Sequence, residues 1–242
     1  MIGCIIQART GSSRLPGKVL KKINSKTLLE ILLEQLKYSK FLKTVVVATT
    51  QLKEDNQIVE SLKHSGIPIF RGSSENVLDR FYECAKKFQF STIVRLTADN
   101  PLIDPSVIDC VVEKFSSLSC DYLSNTHPRT FPQGNDVEIF SFSALEKSWS
   151  NAKTVFEKEH VTPFIYNNQN LFKIENFSNN VDLSNFRWTV DYPDDFKFVE
   201  QIFQKITSQP ILFKDVLSLL ETEPELKLIN QNYTNNEVSD IS

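Results

Sequence analysis

The chain has 242 residues, 40% hydrophobic and 24% charged, with a formal net charge of −3. That length can bury a full core, and the mixture is ordinary for a globular protein. The slight negative charge speaks against general nucleic-acid binding and favours a discrete anion pocket over a basic surface.

Residues 2–6 are an apolar run that predicts a first strand. Further strand-like runs lie at 44–48, 67–70 and 92–96, the third weakened by Pro68. Between them, 27–38, 54–64 and 75–88 place apolar residues at helical spacing, and Pro105 opens a helix striped by Ile108, Val111, Val112 and Phe115. This alternation predicts an α/β fold with a mostly parallel sheet covered on both faces. Beyond about position 120 the rhythm changes. Strands are expected at 136–140, 171–177 and 186–190, and helices at 157–166 and 194–206. Such a half adds mixed strands and is expected to make subunit contacts. The polar run from about position 230 reads as a flexible tail, which leaves 1–229 as one domain.

Cys4, Cys84, Cys110 and Cys120 show no C-x-x-C spacing, and His64, His127 and His160 are scattered. Neither a zinc site nor a disulfide framework is suggested. No stretch approaches the ~20 apolar residues of a membrane span. The apolar start is too short for a signal peptide. A cytoplasmic location, with no membrane partner, is expected.

The chemistry concentrates after the first strand, in Gln-Ala-Arg-Thr-Gly-Ser-Ser-Arg-Leu-Pro-Gly-Lys at positions 7–18. The first 29 positions carry Arg9, Arg14, Lys18, Lys21, Lys22 and Lys26, and the first acid is Glu30. Glycines let backbone amides approach phosphate oxygens, and the cations neutralise them. The run is not a Walker A loop, because Gly17-Lys18 is followed by Val19, and it lacks the three-glycine dinucleotide fingerprint.

Two acids follow later apolar runs. Asp99, in Arg95-Leu-Thr-Ala-Asp-Asn-Pro, falls in the crevice outside a strand's carboxyl end, where open α/β sheets bind ligands. Asp104, before Pro105, accounts for the helix cap and leaves Asp99 without a structural role. Asp191, in Arg187-Trp-Thr-Val-Asp, has the same place before a second Pro-led helix. Two such carboxylates sharing one pocket would repel unless a divalent cation lay between them. Arg71, the run Asn76 to Arg80, the segment from Pro132 to Glu138, and Glu159-His160 add polar groups that turns and helix faces also produce.

Together these motifs resemble the cytidylyltransferases that activate acidic sugars, among them CMP-Kdo synthetase, CMP-acylneuraminate synthetase and the spore-coat polysaccharide protein F group. Ala8, Arg9, Ser12 or Ser13, and Arg14 to Lys18 match the A-R-x-x-S-x-R-L-P-G-K signature. Arg71-Gly72, Val77 to Arg80, Arg95-x-Thr97-x-Asp99-x-Pro101, Glu159 to Pro163 and Arg187 to Asp191 match the spore-coat group in order. One departure is Gln7, where the better-understood synthetases of that family carry proline.

The resemblance implies a Rossmann-like nucleotide-diphospho-sugar transferase (GT-A-like) three-layer sandwich, magnesium dependence and a homodimer. Its substrates would be CTP and a sugar acid. It places Arg9, Arg14 and Lys18 on the CTP phosphates, within a nucleotide-binding set of Ala8, Thr10, Gly11, Ser12, Ser13, Thr97 and Ala98. Arg71, Asp79 and Arg80 would lie near nucleotide or sugar. Asp99 and Asp191 would hold Mg2+, with Arg14, Lys18 and Asp99 catalytic. For the sugar, Arg129, Gln133 and His160 are candidates toward its carboxylate, and Asp136, Glu138 and Glu159 toward its hydroxyls. Two other readings stay open: a GT-A-type glycosyltransferase using a ready-made nucleotide sugar, and a non-catalytic nucleotide-binding protein. The absence of a D-x-D motif at Asp99 lowers the first.

Overall fold

The computed structural model describes residues 1–233. From β1 (Ile2–Gln7) the chain passes through a loop to a small antiparallel pair, β2 (Lys22–Ile23) and β3 (Lys26–Thr27). There follow α1 (Leu28–Leu36), β4 (Val45–Thr50), α2 (Asn56–Ser61), β5 (Ile69–Gly72), α3 (Val77–Lys87), β6 (Thr92–Thr97) and α4 (Pro105–Ser117). The second half adds β7 (Tyr122–Ser124), β8 (Glu138–Ser141), α5 (Phe142–Asn151), α6 (Val155–His160), α7 (Pro163–Tyr166), β9 (Ile174–Asn176), α8 (Pro193–Lys205) and α9 (Phe213–Thr222).

Seven strands form one sheet in the order β5-β4-β1-β6-β8-β7-β9. β5, β4, β1 and β6 are parallel, whereas β8 runs against both β6 and β7. Alternate side chains of β1 feed opposite cores, as a period of two requires. Cys4 and Ile6 pack with Leu29, Leu32 and Leu36 of α1 and with Ile108 and Val111 of α4. Ile5 packs with Leu78 and Phe81 of α3 and Leu145 of α5. A third core joins Leu28 and Ile31 of α1 to Trp188, Val190, α8 and α9. The result is the expected three-layer α/β sandwich with a mostly parallel sheet.

Helix starts follow local chemistry. Thr27 and Glu30 form a capping box on α1, and Asn76 caps α3. Asp104 accepts from the Ser106 amide at the start of α4, ahead of Pro105 in its first turn.

The second half departs from expectation. Residues 186–190 are not a strand: Arg187 makes a single bridge to Gln133, and Trp188 and Val190 are buried against helices. Their apolar alternation reported burial, which a sheet is not needed to supply. The helix expected over 157–166 is two helices, divided at Val161 (φ 73°), with Pro163 opening α7. Proline has no amide donor and belongs in a first turn. The strands expected at 136–140 and 171–177 are β8 and the shorter β9. The domain also runs past 229. Asn230 is buried and donates to Arg187 O and Asp195 Oδ1, both at 2.9 Å. The rest of the expected tail, 234–242, lies outside the described residues. Among the described residues no helix is long and apolar enough to cross a membrane.

Candidate active site

A cavity of about 510 Å³ opens where the loops leave the carboxyl ends of β1 and β6, near the middle of the sheet. The loop after β1 forms one wall. Thr10 amide and hydroxyl both donate to Asp55 Oδ1 at 2.7 Å, and Asp55 is buried and also takes the Thr50 hydroxyl. Gly17, at φ 66°, starts the 3-10 turn that carries Lys18 back under the loop. Ala8, Arg9, Gly11, Ser12, Ser13, Arg14 and Lys18 therefore line the cavity, while Thr10 is taken up as the loop's anchor. Thr97, Ala98 and Asp99 of the β6 end line it too, as do Arg80, Glu159, His160 and Asp191.

The two acids meet on one atom. Lys18 Nζ donates to Asp99 Oδ2 at 2.7 Å and to Asp191 Oδ1 at 2.6 Å. The ammonium thus holds together carboxylates 92 residues apart in sequence, whose side chains stay 24% and 20% exposed to the cavity. Burial alone would lower the Lys18 pKa, but Asp99 and Asp191 outweigh it and hold it above the ordinary lysine value. Burial alone would raise Asp99. The Lys18 charge and the hydrogen bonds from Lys18 and Thr97 outweigh it and keep the carboxyl below its usual range.

Asp191 is aimed from behind. Arg187 NH2 donates to Asp191 Oδ2 at 2.7 Å, and Arg187 Nε donates to the fully buried Asp195 at 3.0 Å. Asp195 also takes the amides of Asp191 and Tyr192 at 2.9 Å. The segment Arg187–Thr189 is in turn laid against Gln133, which bonds the Trp188 and Thr189 amides through its carbonyl and Arg187 through its side chain. Gly134 permits that approach: a Cβ there would stand 2.5 Å from the Thr189 nitrogen.

Several expected positions fall elsewhere. Arg71 is spent on the loop after β4, donating to Thr50 O, Leu52 O and Asn56 Oδ1, and does not line the cavity. Asp79 sits in the first turn of α3 and accepts from the Trp149 indole at 2.9 Å. Arg129 is paired with Asp136, so neither faces the cavity, and Gln133 serves as the scaffold just described. Glu138 is buried in β8, ion-paired with Arg95, and takes the hydroxyls of Tyr122 (2.6 Å) and Thr162 (2.7 Å). It is buried with these partners and does not line the cavity, so it does not meet a sugar bound there. Burial alone would raise Glu138, but Arg95 and the two hydroxyls hold it low.

Arg80 is 2% exposed, and burial with the neighbouring Arg9 charge pushes it down to about 10. Arg9 reaches Glu159 at 3.7 Å across the mouth of the cavity, a pair too exposed to hold it shut. Burial lowers His160 below the ordinary histidine value, against the pull of Glu159. Sequence reasoning missed Asp55, Tyr192 and Gln7. Tyr192 carries the Arg14 guanidinium 5.2 Å from its ring centroid and stacks on Tyr233 at 4.1 Å. Gln7 ends β1 in the cavity wall. Only the strand-end place of Gln7 was a readable signal.

The donor set can be tested for a hard cation. Among the described residues no group of three or more His, Cys, Asp and Glu side chains gathers to hold a metal ion. Asp99 and Asp191 nevertheless turn oxygen atoms toward one positive centre, where Lys18 now lies. Two carboxylates on an open cavity suit magnesium, which keeps waters and takes its other ligands from substrate phosphates. The residues fit a metal that arrives with a polyphosphate.

A mostly parallel sheet with a cation-rich loop and two acids at its carboxyl edge defines an α/β nucleotide-binding fold of the nucleotidyltransferase kind. The family model for cytidylyltransferases matches residues 3–236, and the chain belongs to the cytidylyltransferase family. It is 43% identical over 230 residues to an uncharacterized protein of Methanocaldococcus jannaschii, covering 94% of this chain and 93% of that one. It is 32% identical over 229 residues to spore coat polysaccharide biosynthesis protein SpsF of Bacillus subtilis, covering 91% and 94%. A solved cytidylyltransferase of Leptospira borgpetersenii superposes with a TM-score of 0.90 at 36% identity, over 93% of this chain and 96% of that one. The fold also matches CMP:2-keto-3-deoxy-manno-octonic acid synthetase, solved with CTP, at a TM-score of 0.65 and 16% identity, over 84% and 98%.

Proposed function

We propose that this protein transfers CMP from CTP to a sugar acid, releasing pyrophosphate, in a magnesium-dependent reaction. One observation carries the reading: Asp99 and Asp191 converge within the cavity that the loop 8–18 walls with Arg9, Arg14 and Lys18. The sugar-acid acceptor is supported by the fold shared with the octonic acid synthetase.

In the reaction a sugar hydroxyl attacks the α-phosphorus of CTP and gives up its proton to solvent. A new P–O bond forms, the bond to the β-phosphate oxygen breaks, and pyrophosphate leaves. Arg9, Arg14 and Lys18 take the phosphate oxygens and offset the charge that grows on them, without reorganising at the moment of transfer. Asp99 and Asp191 would hold magnesium, which supplies further charge neutralisation at the phosphates when bound. Asp55, through Thr10, anchors the loop whose residues line the cavity. His160, neutral near pH 7 by the direction of its shift, leaves the cationic role to the arginines and Lys18.

The test is incubation with each nucleoside triphosphate, magnesium and a panel of sugar acids, following pyrophosphate. Release with CTP alone among the nucleotides supports the reading. No release with any triphosphate, or glycosyl transfer from a nucleotide sugar, overturns it. The reading carries a homodimer as well, and light scattering at the single-chain mass of 27.8 kDa removes that part.

A further inference from the structure

Gln7 is the last residue of β1 and is one of the residues lining the cavity. Arg95 NH2 donates to Gln7 Oε1 at 3.0 Å. A guanidinium has no acceptor, so the amide can stand only one way round, with its oxygen toward Arg95 and Nε2 away from it. Among the described residues Nε2 donates no hydrogen bond.

Arg95 is itself immobilised. The parallel register sets Ile5 beside Arg95 and Gln7 beside Thr97, which puts Arg95 and Gln7 on one face of the sheet. On its other side β8 sets Glu138 beside Arg95, and the two are ion-paired. Glu138 is held in turn by the hydroxyls of Tyr122 and Thr162, and the guanidinium lies 5.8 Å from the Phe81 ring centroid. A buried chain of fixed groups therefore ends in a neutral amide NH2 on a residue that lines the cavity.

The donor differs in kind from its surroundings. Arg9, Arg14 and Lys18 suit charged oxygens, whereas an amide matches an uncharged acceptor. It also precedes the loop 8–18, and Val77 of α3 lines the cavity together with it. We propose that Gln7 is a specificity-determining residue: its Nε2, turned into the cavity by Arg95, donates to an uncharged acceptor on the nucleoside of CTP, a base carbonyl or a ribose oxygen. Arg95 is the positioning residue. This assignment rests on the cytidylyltransferase reading of the cavity.

Calorimetric titration with CTP and, separately, with inorganic triphosphate, both with magnesium, tests it. Gln7→Leu is expected to weaken CTP about three- to tenfold, the scale of one neutral hydrogen bond. Its affinity for inorganic triphosphate, which has no nucleoside, should stay within about twofold of wild type on the same argument. Gln7→Glu keeps the bond to Arg95 and replaces the donor by an anion, so its loss of CTP affinity should be the larger. Gln7→Asn, which withdraws the amide by one methylene, serves if the leucine variant does not fold, and should behave like it.

Equal losses for CTP and triphosphate would overturn the assignment, since the side chain would then be serving the phosphates or the loop. So would an effect confined to the KM of the acceptor sugar. A wild type that binds CTP with variants indifferent to it overturns this inference alone. A wild type that binds no CTP overturns the proposed activity together with it.

Discussion

Two ion clusters sit within one sheet edge of each other and do different work. Lys18 with Asp99 and Asp191 stands in the open cavity, with both carboxylates partly exposed. Arg95 with Glu138 is sealed behind the wall, with both side chains 13% exposed or less. The open cluster can exchange partners, because water or substrate can replace what leaves. The closed one cannot, since breaking a buried pair strands an uncompensated charge. Accessibility, more than the chemistry of the pair, separates a site from its scaffold.

The largest test of this contrast is on the open side. Asp99→Asn and Asp191→Asn should each reduce pyrophosphate release by about 10³-fold or more, the upper scale of one lost electrostatic contact. Their melting curves should stay close to wild type. A variant that turned over CTP normally would break the contrast at its strongest point.

On the closed side, Glu138→Gln should cost about 3–5 kcal/mol of stability, as expected for one partner removed from a buried pair. Denaturant unfolding measures this. The pH dependence follows from the sign of the shift. The folded-state pKa of Glu138 lies below its ordinary value of 4.5, so its contribution is complete above pH 4.5. It is withdrawn as pH falls through the lower folded value. The stability gap between wild type and Glu138→Gln should therefore be constant near neutrality and close in acid. A gap that widened in acid would contradict the sealed pair.

The smallest effect is expected beside the open cluster, at Tyr192. Removing the ring in Tyr192→Ala should raise the KM for CTP about two- to fivefold, the scale of a partly exposed cation–π contact with Arg14. Tyr192→Phe keeps the ring and should be near wild type. Equal behaviour of the two variants would show that Arg14 does not depend on the aromatic face.

How far the site could be read in advance follows the same division. The loop 8–18 and Asp99 were legible because each stands at the end of a strand, where strand order alone predicts a crevice, while Asp191 was legible from the apolar run before it, which is not a strand. Arg129, Gln133, Asp136 and Glu138 were read as sugar contacts, and none of them lines the cavity. Their composition is that of a binding surface, but Arg129 closes on Asp136 seven residues away and Glu138 on Arg95 across the sheet. Asp55 drew no reading from the sequence, because only β4 and the loop after β1 bring Thr50 and Thr10 to it. The false strand at 186–190 has a similar origin, since burial under α8 and α9 imitates the alternation of a sheet.

Local pattern alone was enough for the alternation of strands and helices in the first half, for the cationic loop and for the kinship of the chain. Those features depend on neighbours two to four residues apart. Tertiary structure decided which polar groups meet: Lys18 with both aspartates, Arg95 with Glu138 and Gln7. An ion pair or hydrogen bond is settled within about 3 Å. That distance is set by which strands lie side by side, and a separation along the chain does not contain it.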